Sequence, residues 1–462
     1  MAECTQTVWS LQPVRAVCAT VFLSLVLACQ ARADINPWVA NNLYDPEKWD
    51  TAGPYTATPW LHPPTWTPGQ AWGVFSGKWR TTDALTGSWG GARDRLAEQG
   101  VQLLAGYSEQ FAANPVGGER RGSAWKGSLG TGLFLDLQRL IGWDRTYLTS
   151  SFSYETPGDN LSADDIGNQF PVQLSAGDDS DSTQLVHLAF GKQLFENSSE
   201  LVLGRTITGE DFATLRLACT SLNQAICGNP IAASQSITFP TYPSAAWGGR
   251  FKVKPGERWY AQTGVYLVYP DLFDAGDHGV EFGAPSGSGV LALGEVGYLV
   301  GKDGGQKGLP GQYKIGGYYD TERLTDLDSG KSARGTWGAY AMGQQMLYSE
   351  NDRYDEGLSS FLSVSYAPPD VNQMQFMVAG GLSYQGLIPS RPDDSLSFIG
   401  AYGLFSDDLP GQDGETLLEL NYRAQIAPWI YLQPDMQVII DPDGRSDIDD
   451  ALVLGFAFGV SF

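Results

Sequence analysis

Along residues 415–426, Leu418, Leu420, Tyr422, Ala424 and Ile426 occupy one parity while Glu419, Asn421, Arg423 and Gln425 occupy the other. A period of two with one apolar face predicts a strand. Residues 451–462 repeat it: Leu452, Leu454, Phe456, Phe458, Val460 and Phe462 alternate with Ala451, Val453, Gly455, Ala457, Gly459 and Ser461. Between them Ile430, Leu432, Met436, Val438 and Ile440 alternate with Gln433, Asp435 and Gln437, and Pro434 falls on the apolar parity. The same reading predicts sixteen strands, near 101–111, 128–138, 146–154, 184–192, 200–206, 244–254, 258–268, 289–299, 312–320, 335–347, 358–366, 375–385, 396–405, 415–426, 429–440 and 451–462.

Alternation suits both a soluble sandwich, whose apolar face is the core, and a transmembrane barrel, whose apolar face meets lipid. Length separates them: most of these segments run to about ten residues, the span a tilted strand needs to cross a bilayer, against about five or six for soluble strands. Aromatic residues at strand ends, such as Tyr107, Phe111, Tyr266, Tyr269, Trp429 and Tyr431, match the rings that sit at headgroup level. The expected fold is therefore all-β, a transmembrane antiparallel β-barrel of about sixteen strands. An even number brings both termini to one side and puts the long links 155–183, 207–243 and 269–288 on the other, outer side. Backbone groups at membrane depth must pair internally, so the sheet closes. A barrel of this width encloses an aqueous channel, and its inward parities read as mostly small or polar.

Composition narrows the partners. The chain has 462 residues with 52 acidic against 29 basic side chains, a formal charge of -23. Such a surface repels nucleic acid. Arg15, the apolar stretch Ala16–Ala28 and Ala31-Arg32-Ala33 give residues 1–33 the layout of a secretory signal peptide; cleavage before Cys29 as a lipoprotein is the alternative. Beyond Asp34 no apolar run is long enough for a spanning helix. Cys4, Cys18 and Cys29 leave with the signal, and the remaining Cys219 and Cys227 read as a disulfide in an oxidising compartment. No metal site and no cofactor are expected: His62, His187 and His278 are scattered.

The longest link, 207–243, carries both cysteines with Glu210, Asp211, Arg216, Pro230 and Pro240. A cross-linked link of this length is expected to fold into the barrel and form the constriction. Link 155–183 holds Glu155, Asp159, Asp164, Asp165, Asp178, Asp179 and Asp181 without Lys or Arg, and 441–450 adds five aspartates against Arg445. These read as a solvated acidic rim, with cation binding or discouragement of anions as the functional alternative. No G-x-S-x-G, H-E-x-x-H or Walker-type loop occurs, and Glu415 with Glu419 reads as lumen lining, so an enzyme is not expected.

Ser88-Trp89-Gly90-Gly91-Ala92-Arg93-Asp94-Arg95-Leu96, Leu203-Gly204-Arg205 followed by Asp211-Phe212-Ala213, Cys227-Gly228-Asn229-Pro230 and the close Ala451–Phe462 occur in an order that resembles the carbohydrate-selective porin family, OprB type, of Gram-negative outer membranes. The resemblance spans residues 87–462. It implies a sixteen-stranded barrel domain, a short plug-like helix at Trp89, Gly90, Gly91 and Arg93, passive diffusion of mono- and small oligosaccharides, and a monomer. It further implies contact with outer-membrane lipid and lipopolysaccharide, and a terminal Phe462 read by the barrel assembly machinery. Sugar rings stack on aromatic faces while their hydroxyls meet carboxylates and guanidinium groups. Arg205, Glu210, Asp211, Trp247 and Arg250 are the candidate set at the constriction, with Trp247 equally readable as a lipid-facing girdle residue. Residues 34–86, rich in Trp and Pro, depart from the family as an extension of open role. A pore for another small polar solute, and a secreted all-β carbohydrate-binding or carbohydrate-cleaving protein, are the competing readings.

Overall fold

The computed structural model describes residues 84–462 apart from 175–181, 196–197, 235, 275, 277 and 353. The expected signal peptide 1–33 and all but the last three residues of the extension 34–86 lie outside the described residues. The strands are β1 (Val101–Gly118), β2 (Ser123–Asp136), β3 (Thr146–Glu155), β4 (Ser182–Leu194), β5 (Ser199–Thr206), β6 (Ala246–Val253), β7 (Trp259–Val268), β8 (Gly289–Val300), β9 (Gly311–Thr325), β10 (Ser332–Ser349), β11 (Gly357–Tyr366), β12 (Met374–Gln385), β13 (Ser395–Phe405), β14 (Gly414–Ala427), β15 (Ile430–Ile440) and β16 (Asp449–Ser461). Each pairs antiparallel with its sequence neighbours, and β1 also pairs with β16, from Gly106 opposite Ser461 to Gly118 opposite Asp449, so the sheet closes on itself.

Every expected segment coincides with a strand, and the differences lie at the ends. β1 and β2 run beyond 101–111 and 128 to form a hairpin closed at residues 119–122, where alternation is no longer imposed by two contrasting faces. Residues 137–138 belong instead to a short helix, Leu137–Ile141, because the Asp136 carboxylate accepts from the amides of Gln138 and Arg139 and caps it.

The orientation of the faces is decided by exposure. In β14 Leu418 and Leu420 are 39% and 41% exposed while Glu419 and Asn421 are 1% and 2% exposed. The oily parity is outside and the polar parity is inside, the arrangement of a membrane barrel. The interior is nevertheless not lined only by small and polar groups, as expected above. Inward Phe361, Met374, Met377, Ile399, Phe405, Leu417 and Ile439 pack with Leu161, Ile166, Phe170, Leu215 and Ile226 from two links, in one buried cluster. Chain folded into the bore needs apolar partners on the wall, and these positions supply them.

The termini lie at one end. There the helix α1 (Ala92–Glu98) packs against β1: the Arg93 guanidinium donates through Nη2 to Leu103 O at 3.0 Å and lies 5.4 Å from the Trp89 ring. Gly90 and Gly91 adopt left-handed φ of 65° and 83° at its start, a bend that side-chain-bearing residues resist. Leu85 N donates to Ser461 O, and Phe462 N to Ala105 O, tying both ends of the chain to the wall.

Candidate functional site

The segment between β5 and β6, residues 207–245, turns inward. Its backbone is held by inward side chains from strands far around the barrel. Glu295 of β8 accepts from Ala213 N at 3.0 Å, Lys314 of β9 donates to Thr214 O at 2.8 Å, and Gln344 of β10 accepts from Leu217 N at 3.0 Å. On the opposite arc Asn421 of β14 and Gln433 of β15 both donate to Thr220 O, and Glu419 accepts from Leu222 N at 2.8 Å and from the Ser221 hydroxyl. The segment thus reaches across the bore from β5 to β15. Cys219 and Cys227 are joined within it.

Residues 156–174, from the link after β3, also enter. Glu415 accepts from the amides of Gln169 and Phe170 at 2.8 Å each, and Gln437 donates to Val172 O at 2.9 Å. Phe170 and Ile166 are wholly buried. Asp165 pairs with Arg120 at 2.6 Å, so this link is only in part the solvated rim read from its acids. Asp178, Asp179 and Asp181 lie outside the described residues. The missed signal was the set Leu161, Ile166, Phe170 and Val172, apolar side chains in an acidic link that would otherwise stand in water.

Where the 207–245 segment leaves β5, it meets a charged patch. Arg250 of β6 reaches Glu200 of β5 through Nη2 at 2.5 Å and Asp211 of the segment through Nε at 2.9 Å. Glu200 also accepts from Tyr147 at 3.0 Å and from Gln193 at 2.7 Å. Two residues along β6, Lys252 holds its ammonium 4.6 Å from the ring centre of Tyr260, whose hydroxyl donates to Glu295. Burial raises the Asp211 carboxyl above its ordinary range, against the opposing pull of Arg250 and Lys252. His187 of β4 sits between the Ser151 hydroxyl at 2.7 Å and Glu210 at 3.0 Å, fastening the start of the segment to the wall. The Tyr242 hydroxyl, near its end, lies 2.6 Å from the Ser153 hydroxyl and 3.0 Å from the Glu155 carboxylate.

Of the expected constriction set, Glu210, Asp211 and Arg250 therefore come together inside the barrel. Arg205 and Trp247 do not. They are cross-strand partners and share a face. That face is outward, since Leu203 and Phe251 on the same parity are 51% and 37% exposed, whereas Arg250 points inward. Arg205 is 1% exposed, with Nε donating to Leu185 O at 2.9 Å. Arg205 is corrected to the outer wall, and Trp247 lies there too, in keeping with its alternative reading as a girdle residue; an even separation keeps a side chain on its face, and the three residues from Trp247 to Arg250 change it. Trp89, Gly90, Gly91 and Arg93 stand apart at the terminal end. Sequence reasoning missed Glu200, Lys252, Tyr260, Glu295 and His187, whose inward parity was legible but whose partners were not, on the wall for the first three and in the inserted segment for Glu295 and His187.

The sequence profile of the carbohydrate-selective porins, the OprB family, matches residues 120–462. The chain belongs to that family. Porin B of Pseudomonas aeruginosa is 27% identical over 420 residues, covering 82% of this chain and 91% of that protein. A putative porin of Acinetobacter baylyi, QuiX, is 26% identical over 415 residues, covering 82% and 93%. The high-pH structure of Pseudomonas putida OprB superposes with a TM-score of 0.76 at 25% identity, over 83% of this chain and 99% of that one. This porin is thus a β-barrel of the Gram-negative outer membrane that serves the passage of saccharides. The patch around Arg250 lies within the matched region.

Proposed function

We propose that small saccharides diffuse passively through this barrel past a constriction formed by the inward segment 207–245, and that Arg250, Glu200, Asp211, Lys252 and Tyr260 meet them there. The observation that carries the reading is the pair of contacts through which Arg250 joins the wall carboxylate Glu200 to Asp211 of the segment. Such a pair presents charged donors and acceptors on rigid supports, and Tyr260 adds an aromatic face. The groups pair one another, which favours neutral hydroxylated solutes over ions that would have to break the pairs.

Residues 1–33 act in this reading as an export signal and 87–462 as the barrel domain. The terminal end faces the periplasm, where α1 sits as a partial plug. Phe462 serves recognition by the assembly machinery, and the barrel works as a monomer without catalysis. Liposome swelling tests the function. Neutral sugars should enter faster than charged solutes of equal size, and equal rates would refute selectivity while leaving the pore intact. Removing residues 214–236 should raise single-channel conductance several-fold; unchanged conductance would place the narrowest point elsewhere.

A further inference from the structure

β5 and β6 have eight residues each, short of the nine to eleven a tilted strand needs to cross a bilayer. Their neighbour β4 has thirteen and pairs with β5 only over Leu188–Leu194. The wall is therefore low here, on the far end from the termini. Part of the β7–β8 link fills the gap from outside. Leu185 N donates to His278 O at 2.9 Å, and His278 Nδ1 lies 3.0 Å from Thr183 O, so the link takes up edge groups that β5 does not reach. Trp247 donates through Nε1 to Glu281 O at 2.8 Å, and its ring centre lies 5.2 Å from that of Phe282.

Between these contacts Gly279, with a left-handed φ of 65°, presses on the wall. A Cβ there would come within 2.6 Å of Leu185 O and 2.9 Å of Arg205 Nη2. The covered residues are on the outward face: Leu185 stands opposite Phe152, itself 46% exposed, yet is only 4% exposed, and Arg205 stands opposite Trp247. An outward arginine in contact with lipid tails is costly, and the strap 278–282 separates Arg205 from them. The strap's own apolar side chains point away: Val280 is 50% and Phe282 67% exposed. They continue the outward apolar surface of Leu203 and Val265, each 51% exposed.

We propose that Val280 and Phe282 insert among the acyl chains of the leaflet at the far end, so that residues 278–282 complete the lipid-facing wall over β5 and β6. The partner is a lipid surface, because the patch is continuous with the barrel's lipid face and lies beside the low part of the wall. This goes beyond the channel reading and does not depend on which solute passes.

The test uses nitroxide labels on V280C and F282C in the full chain, reconstituted into phospholipid vesicles. L203C serves as the lipid control and D271C as the water control, and the parent chain is labelled in parallel as background. Relaxation by oxygen should dominate over relaxation by a water-soluble nickel chelate at positions 280 and 282, as at 203. Nickel dominance like that at 271 would overturn the proposal. So would shielding from both agents, the mark of contact with a second copy of the chain. Conductance of each labelled variant confirms a folded barrel and reads the channel separately.

Discussion

Arg250 shows how much a single inward residue can hold. Its guanidinium stands between two carboxylates, one on the wall and one on the inserted segment, and it is 7% exposed. Removing one member of such a buried group leaves the others charged and unpaired, at a cost of about 3–5 kcal/mol. Arg250→Gln should therefore lower stability against urea in detergent by about that amount. Arg250→Lys should recover only part of it, since an ammonium cannot serve both partners with a planar fork. A stability equal to that of the parent would mean that water in the bore already solvates Glu200 and Asp211. Residue type alone assigns Arg205 to the same site, yet its cross-strand pairing with Trp247 places it on the opposite face. Parity was legible in the alternation of Leu203 and Arg205; the covering strap was not, because its contacts to Leu185 and Trp247 join segments far apart in the chain.

At the scale of elements, the inserted segments are fixed by carboxylates rather than left to move. Glu295, Glu415 and Glu419 each accept from backbone amides of a link. These acids on the inner face of wall strands satisfy amides that folding into the bore has taken out of water. Glu419→Ala would strand Leu222 N, the Ser221 hydroxyl and Asn421, at about 1–3 kcal/mol for each unsatisfied group. The expected result is a noisier and larger single-channel conductance, read in planar bilayers. A current trace identical to the parent's would show that the disulfide and the apolar packing hold the segment unaided. The spacing and parity of Glu415 and Glu419 suffice to mark both as interior residues. That they grip two different links could not be seen, because a loop without periodicity does not reveal which strand it will meet.

For the whole molecule, closure is the governing feature. Each strand finds both partners, and β1 joins β16, so no edge is left to pair with another chain. A closed barrel resists dodecyl sulfate until heated. The unheated protein should migrate faster than the boiled one, and identical migration would argue against the closed fold. The interior of the barrel combines a packed cluster around Phe170 and Phe405 with the charged patch around Arg250. One part supports the inserted chain, and the other is the constriction we propose for the solute.

The chain's own pattern settled the strands, their parity and the closed antiparallel sheet, because alternation is a local consequence of one wall standing between lipid and water. Only the tertiary structure decided what fills the bore and what wraps the wall. Whether Phe170 packs inside, or Phe282 outside, depends on partners such as Phe405 and Trp247 that are distant in sequence and brought near solely by closure.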